Sequence, residues 1–578
     1  MRRVGFVEGM FLPNVLRETA GRRERGRRPW KVAGFLLLAA ACAETQSHPS
    51  HLPPRVGPLA TLAWHEDSLL RTLGAPKARF NEIQQKATHN SYVRDETIFD
   101  ELVYHRVRAL EFDLHADRVG LASAPKDWFV YHMFSAPYSG TQCVRMSDCL
   151  RVVKTFHDTF PQHEVVTLWL DLKDNFSANG HDVADLDSAI VTALGDDVIF
   201  RPRDLMAACP NAKSLRDAVA GTCAWPETKD LRGKILVALT GATACSRGSS
   251  LDRYLGGGHF ERDFEDRTAF IAPDLNSTCT FEDSSHRQDV VLFNANGANA
   301  WRTEDVHRAG LVSRVYAGGM GGGLDDPLAW NAARAHRANF LATDRVNAEV
   351  DPWASTETKT GWPFLCLLVG CEPSPAEERE IVGVSAQSGD IDGTNDSFYF
   401  LESDRPSAEL SSTWSAAIAV PSSNVERWAK GCLMARATRD ADSPYVAVCR
   451  PADNSRIRVQ YRLTKGGTTV EMEAPRPPGL SAESTFFARL ELTTSQDGTT
   501  ATSSASTDGI NWAPIATRAF STLLPHQGLA ASSHGSDAVR FLFANLKRGA
   551  EIMGTKSFDE GHKIGSALRG SIFRGAAP

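Results

Sequence analysis

The chain lacks the positive charge expected of a protein that binds nucleic acid. It has 63 Lys and Arg against 70 Asp and Glu, which gives a formal net charge of −7. The first 42 residues alone carry nine basic and three acidic side chains, so the rest of the chain stands at −13. This acidity leaves no electrostatic reason to bind DNA or RNA. It also gives no long-range attraction to an anionic membrane, so a lipid substrate has to be captured by local contacts.

Motifs for two common kinds of cofactor site are missing as well. The cysteines and histidines form neither a CxxC nor an HxxxH pair, which argues against a zinc site. The glycine clusters at 256–258 and 318–323 lack the strand–GxGxxG–helix setting of a nucleotide site. Apolar residues make up 42% of the chain and charged residues 23%, which is typical of a globular protein.

A long hydrophobic span is also absent near the N-terminus. The apolar run Val32–Ala41 is too short to cross a bilayer, follows an Arg-rich segment and ends in small residues before Cys42. Residues 1–42 are therefore predicted to be an export signal, followed by a linker over 43–78. Leu38–Cys42 resembles a bacterial lipobox, which would anchor the exported protein to the cell envelope through an acylated Cys42. The alternative is an ordinary secretory peptide that is cut nearby and leaves the protein secreted.

The cysteine count agrees with export. Setting Cys42 aside leaves ten cysteines, and an even set in an exported chain favours disulfides. Pairing between neighbours in sequence is the simplest arrangement, although the sequence alone cannot establish connectivity. This arrangement predicts five disulfides: Cys143–Cys149, Cys209–Cys223, Cys245–Cys279, Cys366–Cys371 and Cys432–Cys449.

The order of predicted elements divides the chain into an α/β part and an all-β part. Between residues 79 and 372, short apolar runs alternate with helical patterns, which predicts a (β/α)8 TIM-like barrel. From 373 to 550, Ser- and Thr-rich segments with alternating patterns predict an all-β jelly-roll sandwich, and 551–578 are predicted to be a loose basic tail. The barrel strand candidates are Ala109–Leu114, Trp128–His132, Val165–Leu170, Lys234–Leu239, Val290–Asn294, Leu311–Val315 and Asn339–Ala342.

Polar side chains with catalytic chemistry fall at the ends of the early strand candidates. Glu111 and Asp113 are two residues apart on one strand, so their carboxylates lie on the same face. Asp171 and Lys173 have the same spacing at the end of a later strand. In a barrel these strand ends meet at the active face. Each residue alone has a structural alternative, for example an Asp171–Lys173 salt bridge, but together they predict one site. Near the late strands, Ser313, Arg314 and Asp344 are further candidates for the pocket lining.

Five short motifs follow one another between residues 80 and 372. They are Thr88-His89-Asn90-Ser91-Tyr92, Leu110-Glu111-Phe112-Asp113, Val130-Tyr131-His132, Leu170-Asp171-Leu172-Lys173 and Trp225-Pro226 with Leu231-Arg232-Gly233-Lys234. In their residues and their order they resemble the calcium-dependent phosphoinositide phospholipase C family, which is built on a TIM barrel, and the likeness covers roughly residues 80–372. The usual Gly before Thr-His-Asn-Ser is Ala87 here.

The resemblance implies a reaction and roles for the matching residues. It implies Ca²⁺ as the cofactor and cleavage of a phosphoinositide-type phospholipid at a membrane surface, by attack of the inositol 2-hydroxyl on phosphorus. The products would be diacylglycerol and an inositol cyclic phosphate. The metal ligands would be Asn90, Glu111, Asp113 and Asp171, and the catalytic residues His89, His132, Glu111 and Lys173. His132 is the expected general acid, while the general base remains open between His89, Glu111 and Asp113.

Five segments of the C-terminal part share a pattern with a known class of β-sandwich; they are 431–436, 443–448, 460–462, 506–512 and 526–529. In these segments the chain resembles concanavalin-like lectin and glucanase modules. The resemblance implies a sandwich that either binds a glycan or serves as a packing or spacer domain.

Two other functions compete with the phospholipase C interpretation. One is a glycerophosphodiester phosphodiesterase. In that class the corresponding pair resembles His-Arg, whereas here His89 is followed by Asn90, which favours the phospholipase C interpretation. The other is a catalytically inactive lipoprotein that binds surface glycans through the sandwich.

Overall fold

A computed structural model describes most of the chain from residue 71 onward. The described residues are 71–74, 78–117, 126–132, 141–176, 180–221, 223–241, 250–255, 267–275, 287–316, 327–344, 346, 364–367, 374–378, 381–404, 411–421, 425–453, 456–475, 485–559, 561–567 and 569–573. The predicted export signal, its lipobox and most of the linker lie outside these ranges. Among the described helices, none combines the length and the apolar character needed to cross a membrane.

Eight parallel strands form the barrel of the first part of the fold, and the two-residue strand Ile199–Phe200 pairs in parallel with the fourth of them. They are short and buried from both sides, as expected of strands covered by helices, and their apolar residues form one continuous core. The strands are β1 Ile83–Thr88, β2 Ala109–His115, β3 Val166–Leu172, β4 Ile235–Gly241, β5 Ala269–Ile271, β6 Leu292–Ala295, β7 Val312–Val315 and β8 Phe340–Thr343.

These eight strands close into a barrel. Each pairs in parallel with the next along the chain, and β8 returns to pair with β1. Between β5 and β6 the link is a parallel bridge of Asp274 with Asn294, where the Leu275 N–H donates to the Asn294 carbonyl at 2.7 Å. The predicted TIM-like barrel is confirmed. Its interior is filled by side chains such as Trp169 and Phe340, whose ring centroids lie 5.5 Å apart.

Helices separate most of the strands. The longest helices have amphipathic patterns: in Val183–Leu194, the buried residues Leu186, Ile190 and Leu194 recur every four positions. That helix begins with a capping box, in which the Asp185 N–H donates to the Asp182 carboxylate at 2.9 Å. The α-helices are α1 Ile98–Val103, α2 Met146–Thr159, α3 Val183–Leu194, α4 Pro202–Ala207, α5 Leu215–Ala218, α6 Ser250–Tyr254, α7 Thr303–Arg308 and α8 Pro327–Ala335.

Two barrel strands were not predicted, and one predicted strand lies outside the barrel. β1 (Ile83–Thr88) carries Gln84, Gln85 and Lys86 at buried positions, so it does not look like a buried apolar strand. β5 has only three residues. The segment predicted as a strand at 128–132 pairs with β2 through Phe129–Val130 alone, and the pairing is antiparallel.

The second part of the fold is a sandwich of two antiparallel sheets, as predicted. Its strands are β9 Ile381–Gln387, β10 Phe398–Glu402, β11 Ser412–Ala419, β12 Lys430–Arg436, β13 Tyr445–Pro451, β14 Arg458–Arg462, β15 Val470–Glu473, β16 Phe487–Ser495, β17 Gly498–Ser506, β18 Ala513–Phe520, β19 His526–Ser532, β20 Ala538–Arg548, β21 Glu551–Ile552, β22 His562–Ile564 and β23 Arg569–Phe573. In one sheet the order is β18-β17-β16-β11-β20-β9-β23, with β21 on β20, and in the other it is β15-β14-β13-β12-β19-β10-β22. Alternating apolar residues from both sheets, among them Val384, Leu433, Val448 and Phe541, form the core between them.

Residues predicted to be a loose tail contribute strands to both sheets. β22 pairs with β10, and β23 pairs with β9. Backbone pairing places these segments despite their low apolar content, which is why the sequence pattern suggested a tail. At the other boundary, the strand Arg71–Gly74 in the predicted linker pairs antiparallel with Ser374–Glu378.

Three of the five predicted disulfides are present. They join Cys143 to Cys149, Cys209 to Cys223, and Cys432 to Cys449. The last pair links directly opposed positions of β12 and β13. The predicted pairs Cys245–Cys279 and Cys366–Cys371 involve side chains outside the described part of the structure, so they remain predictions.

Candidate active site

Three carboxylates meet at the C-terminal ends of β2 and β3. Asp113 and Asp171 are register partners on these neighbouring strands, and Glu111 lies two residues earlier on β2. One oxygen from each of the three groups lies within 4.8 Å of the others. Glu111 and Asp113 are buried, whereas 18% of the Asp171 side chain is exposed. The carboxylates predicted from their spacing therefore lie together at the mouth of the barrel.

Glu111 is held ionised by an arginine from the opposite side of the barrel. Arg314 on β7 donates through Nη1 to Glu111 Oε1 at 3.0 Å, and its Nη2 lies 2.8 Å from Oε2. Burial opposes the charge, but the guanidinium outweighs it and lowers the pKa of Glu111 to about 2. The guanidinium also lies over the Trp169 ring, 5.3 Å from its centroid.

Lys173 lies between the two remaining carboxylates. Its Nζ is 2.6 Å from Asp171 Oδ2 and 3.2 Å from Asp113 Oδ2. These two negative charges raise the pKa of Lys173 despite its burial. Burial and the nearby Asp113 charge raise the pKa of Asp171 to about 6. Asp171 and Lys173 thus form the salt bridge that was considered as a structural alternative. That salt bridge lies within the predicted site.

Room for the Asp171 carboxylate depends on a glycine at the end of β4. Gly241 has φ +103°, a conformation that L side chains rarely adopt. A Cβ atom there would collide with the Leu172 carbonyl and with the Asp171 carboxylate. The end of β4 therefore leaves the space in which Asp171 turns toward Asp113.

His132 contacts Asp113 from the rim. Its Nδ1 lies 3.1 Å from Asp113 Oδ2, and 33% of its side chain is exposed. This contact leaves Nε2 as the ring nitrogen available to a substrate. Asp113 Oδ1 is buried and accepts no hydrogen bond of sound geometry from the described residues. The Tyr92 hydroxyl is close enough for the Asp113 charge to contribute, after burial, to a raised tyrosine pKa.

His89 lies at the end of β1 and pairs with a carboxylate from β8. Its Nδ1 is 3.2 Å from Asp344 Oδ1, and its backbone N–H donates to the Thr343 carbonyl at 3.1 Å. Burial opposes protonation of the ring, but the Asp344 and Glu111 charges prevail and raise the pKa of His89. The Arg94 guanidinium contacts both the His89 carbonyl and the Asp344 carboxylate.

Asn90 adopts a left-handed backbone conformation beside His89. Its φ and ψ are 51° and 54°, in a region that asparagine tolerates better than most residues. The turn directs its N–H to Glu111 Oε2 at 2.9 Å and lets the Tyr92 hydroxyl donate to its Oδ1 at 3.2 Å. The amide predicted as a metal ligand therefore lies next to the carboxylate group.

The side chains at this mouth fit a divalent cation. Glu111, Asp113 and Asp171 offer hard oxygen donors, as Ca²⁺ prefers, and Asn90 adds an amide oxygen nearby. Asp113 Oδ1, which is buried without a hydrogen bond from the described residues, is the oxygen most in need of a partner.

All the residues predicted to be catalytic or metal-binding lie at this mouth. Three other residues contact them, and these contacts were not predicted from the sequence. Arg314 and Asp344 were predicted only as pocket lining, and Arg94 was not predicted. A lone arginine within the apolar strand Val312–Val315 was the available signal for Arg314, and a strand-end carboxylate was the signal for Asp344. Ser313 lies next to Arg314 on β7, hence on the opposite face of the sheet.

Comparison with known proteins agrees with this geometry. Residues 129–289 match the model of a family described as phosphoinositide phospholipase C, Ca²⁺-dependent. This match supports a phospholipase C-like phosphoric diester hydrolase. The matched segment contains His132, Asp171 and Lys173, while His89, Glu111 and Asp113 precede it. The resemblance carried by the short motifs is confirmed. No curated protein matches the chain.

Solved structures of phospholipases C are similar to about half of the chain. A calcium-dependent phosphoinositol-specific phospholipase C from Pseudomonas sp is 22% identical, covering 50% of this chain and 96% of that chain, with a TM-score of 0.41. A Ca²⁺-dependent phosphatidylinositol-specific enzyme from Streptomyces antibioticus is 20% identical, covering 46% and 95%, with a TM-score of 0.39. A glycerophosphodiester phosphodiesterase from Parabacteroides distasonis is 11% identical, covering 45% and 92%, with a TM-score of 0.24. Likenesses at this level carry no inference about activity.

Replacing Asp171 by Asn is expected to stabilise the protein in the absence of metal. Because the pKa of Asp171 in the fold, about 6, exceeds its ordinary 3.8, the folded state binds the proton more tightly than the unfolded one. Stability is therefore lost as pH rises between these values and stays lower above them. We expect D171N to gain about 1–2 kcal/mol at pH 7 and little at pH 4.

Urea unfolding in EDTA at pH 4, 5, 6 and 7 measures this gain. The control is D174N, which removes a more exposed carboxylate (40% of the side chain) from the same rim. Equal effects of D171N at pH 4 and pH 7 would contradict the burial argument.

Proposed function

We propose that the chain is a calcium-dependent phosphodiesterase that cleaves a phosphoinositide-type phospholipid into diacylglycerol and an inositol cyclic phosphate. One observation carries the proposal: Glu111, Asp113 and Asp171 converge within 4.8 Å at the mouth of the barrel, and His132 contacts one of them at 3.1 Å. A cation site and a proton-transfer group thus share one carboxylate.

Glu111, Asp113, Asp171 and Asn90 are the residues that would hold the cation. When bound, Ca²⁺ would supply positive charge for the phosphate oxygens and orient the substrate. The Glu111–Arg314 ion pair keeps Glu111 ionised throughout the neutral range, as a ligand requires. Lys173, which already lies against Asp113 and Asp171, would contact the phosphate or one of these carboxylates.

In the proposed reaction, the inositol 2-hydroxyl attacks phosphorus and the bond to the diacylglycerol oxygen breaks. The hydroxyl proton passes to a base, and the leaving oxygen takes a proton from His132 Nε2. Asp113 suits His132 for this role because it orients the ring through Nδ1 and leaves Nε2 available to the substrate. The atoms balance without water, which enters only if the cyclic phosphate is opened afterwards.

His89 is suited to stabilise negative charge on the phosphate oxygens. Its pairing with Asp344 raises its pKa and favours a protonated ring. A protonated His89 would be a poor acceptor for the 2-hydroxyl proton, which turns attention to Glu111 or Asp113 as the base. This choice remains part of the proposal.

Product analysis on a phospholipid panel tests the function. The full chain would be incubated with Ca²⁺ and one substrate at a time, and the products would be identified by ³¹P NMR. The substrates are vesicles of phosphatidylinositol, phosphatidylcholine or phosphatidylglycerol, and glycerophosphoinositol in solution. An inositol cyclic phosphate from phosphatidylinositol alone is the expected result. Release of glycerol 3-phosphate would instead indicate a glycerophosphodiester phosphodiesterase, and no turnover of any substrate would favour a binding protein.

We further propose that the protein works outside the cytoplasm at a membrane surface. The three disulfides support export, because such bonds persist mainly in oxidising compartments. Lipid anchoring through Cys42 predicts incorporation of labelled palmitate that C42S abolishes. Glycan binding by the sandwich remains a prediction. Binding of the full chain to a glycan array is the direct measurement.

A further inference from the structure

The sandwich and the barrel share a buried contact at helix α1. Phe99 of α1 stacks on Phe486, which precedes β16, with ring centroids 4.9 Å apart. The barrel core continues without a break into sandwich residues such as Ala417 and Leu542. The sandwich is therefore packed against the element that follows the His89 loop.

An ion pair between the two parts lies inside this contact. Arg450 of β13 and Asp100 of α1 are both fully buried, and Arg450 Nη1 donates to Asp100 Oδ1 at 2.8 Å. The Val420 N–H of the sandwich donates to the same oxygen at 3.0 Å. The Arg450 guanidinium also lies over the Phe486 ring, 5.3 Å from its centroid. Removing one partner of such a pair leaves a buried charge uncompensated.

Glu101, the next residue of α1, fixes the segment 88–94, which contains His89 and Asn90. Glu101 is fully buried, accepts a hydrogen bond from Thr88 Oγ1 at 2.7 Å and pairs with Arg94 Nε at 3.1 Å. Thr88 in turn contacts Ser91 Oγ at 2.6 Å, and Ser91 Oγ accepts the Glu111 N–H at 2.9 Å.

Arg94 completes the connection to His89. Its guanidinium donates to the Thr343 carbonyl at 2.8 Å, to Asp344 Oδ1 at 2.9 Å, and to the His89 carbonyl. The position of α1 thus fixes both the backbone of the His89 loop and the carboxylate that pairs with its ring. A helix of six residues is too short to be stable on its own, so α1 depends on its packing contacts.

We propose that Arg450, in the sandwich, is a positioning residue for the barrel site. By anchoring Asp100, it fixes α1, and Glu101 then sets Thr88 and Arg94, which hold His89 and Asn90. The sandwich is thereby a structural part of the catalytic unit rather than a separate module. The effect on turnover rests on the proposed function, whereas the effect on the His89 loop does not.

The experiment compares R450Q and R450K with a matched control, R462Q. Arg462 of β14 is an equally buried arginine in the same sheet, but its ion pair with Asp396, at 2.8 Å, lies wholly within the sandwich. The readouts are hydrogen exchange of the amides at 88–94 by mass spectrometry, Ca²⁺ affinity by calorimetry, and kcat and KM on phosphatidylinositol.

We expect R450Q to speed exchange at 88–94 and to lower kcat by about tenfold with little change in KM. R450K keeps the charge but loses the bidentate contact with Asp100. Its exchange rate at 88–94 and its kcat should therefore lie between those of R450Q and the parent. R462Q should leave all three readouts at the parent's values even if it lowers Tm. Parent-like exchange at 88–94 in R450Q, or in R450K should R450Q not fold, would overturn the proposal. If the parent itself shows no turnover, the proposed function fails, while the exchange result still decides this inference.

Discussion

Replacing His132 by Ala is expected to lower kcat on phosphatidylinositol by about 10³-fold. His132 reaches the barrel mouth with Nδ1 on Asp113, 3.1 Å away, so only its Nε2 is available to protonate the departing diacylglycerol oxygen. An alkoxide is a poor leaving group without that proton. Because the ring is one-third exposed, its loss should cost little stability. Steady-state kinetics on vesicles gives the change in kcat.

The role of His132 as the acid is tested by changing the leaving group. An inositol phosphodiester of p-nitrophenol leaves readily without a proton, so H132A should recover most of the parent's activity on it. H157A is a matched control, since His157 is a partly buried histidine that pairs with His163 at 3.1 Å, away from the carboxylates. Equal losses on both substrates would show that His132 does not protonate the leaving oxygen.

Replacing Asp113 by Asn is expected to abolish both calcium binding and turnover. Asp113 is the carboxylate shared by the proposed cation site, His132 and Lys173, and its buried Oδ1 accepts no hydrogen bond of sound geometry from the described residues. The substitution keeps the shape but removes the charge, so we expect Ca²⁺ affinity to fall by at least about 100-fold. Calorimetric titration of the apo protein with Ca²⁺ measures the effect.

Calcium dependence of the parent provides the companion test. Excess EGTA should remove turnover, and added Ca²⁺ should restore it in the parent and in D174N, whose altered carboxylate lies outside the group of three. Undiminished turnover in EGTA would end the calcium assignment, whatever D113N does.

Period-two spacing was the most informative signal in the sequence. Spacing alone predicted that Glu111 and Asp113 share one strand face and that Asp171 and Lys173 share another, and the register of β2 with β3 brings the two pairs together. The strands that escaped prediction had weak patterns for a physical reason. β1 uses Gln84 and Lys86 to contact the backbone of distant segments, and such contacts are set by tertiary structure.

Partners that are distant in sequence could not be predicted. Glu111 and Arg314 are 203 residues apart and meet only because the barrel closes. The contact of Arg450 with Asp100, 350 residues apart, depends on how the sandwich packs on α1. Neither spacing nor composition encodes such pairs, whereas residues on one strand or on adjacent strands of a barrel are constrained by local geometry.

The most direct measurement of the central claim is the position of calcium in a crystal of the full chain. Crystals soaked in Ca²⁺ should show one anomalous peak among Glu111, Asp113 and Asp171, with the Asn90 amide oxygen in contact. D113N crystals under the same conditions should lack the peak. A parent structure at saturating Ca²⁺ with Lys173 still bridging Asp113 and Asp171 and no peak between the three carboxylates would contradict the account.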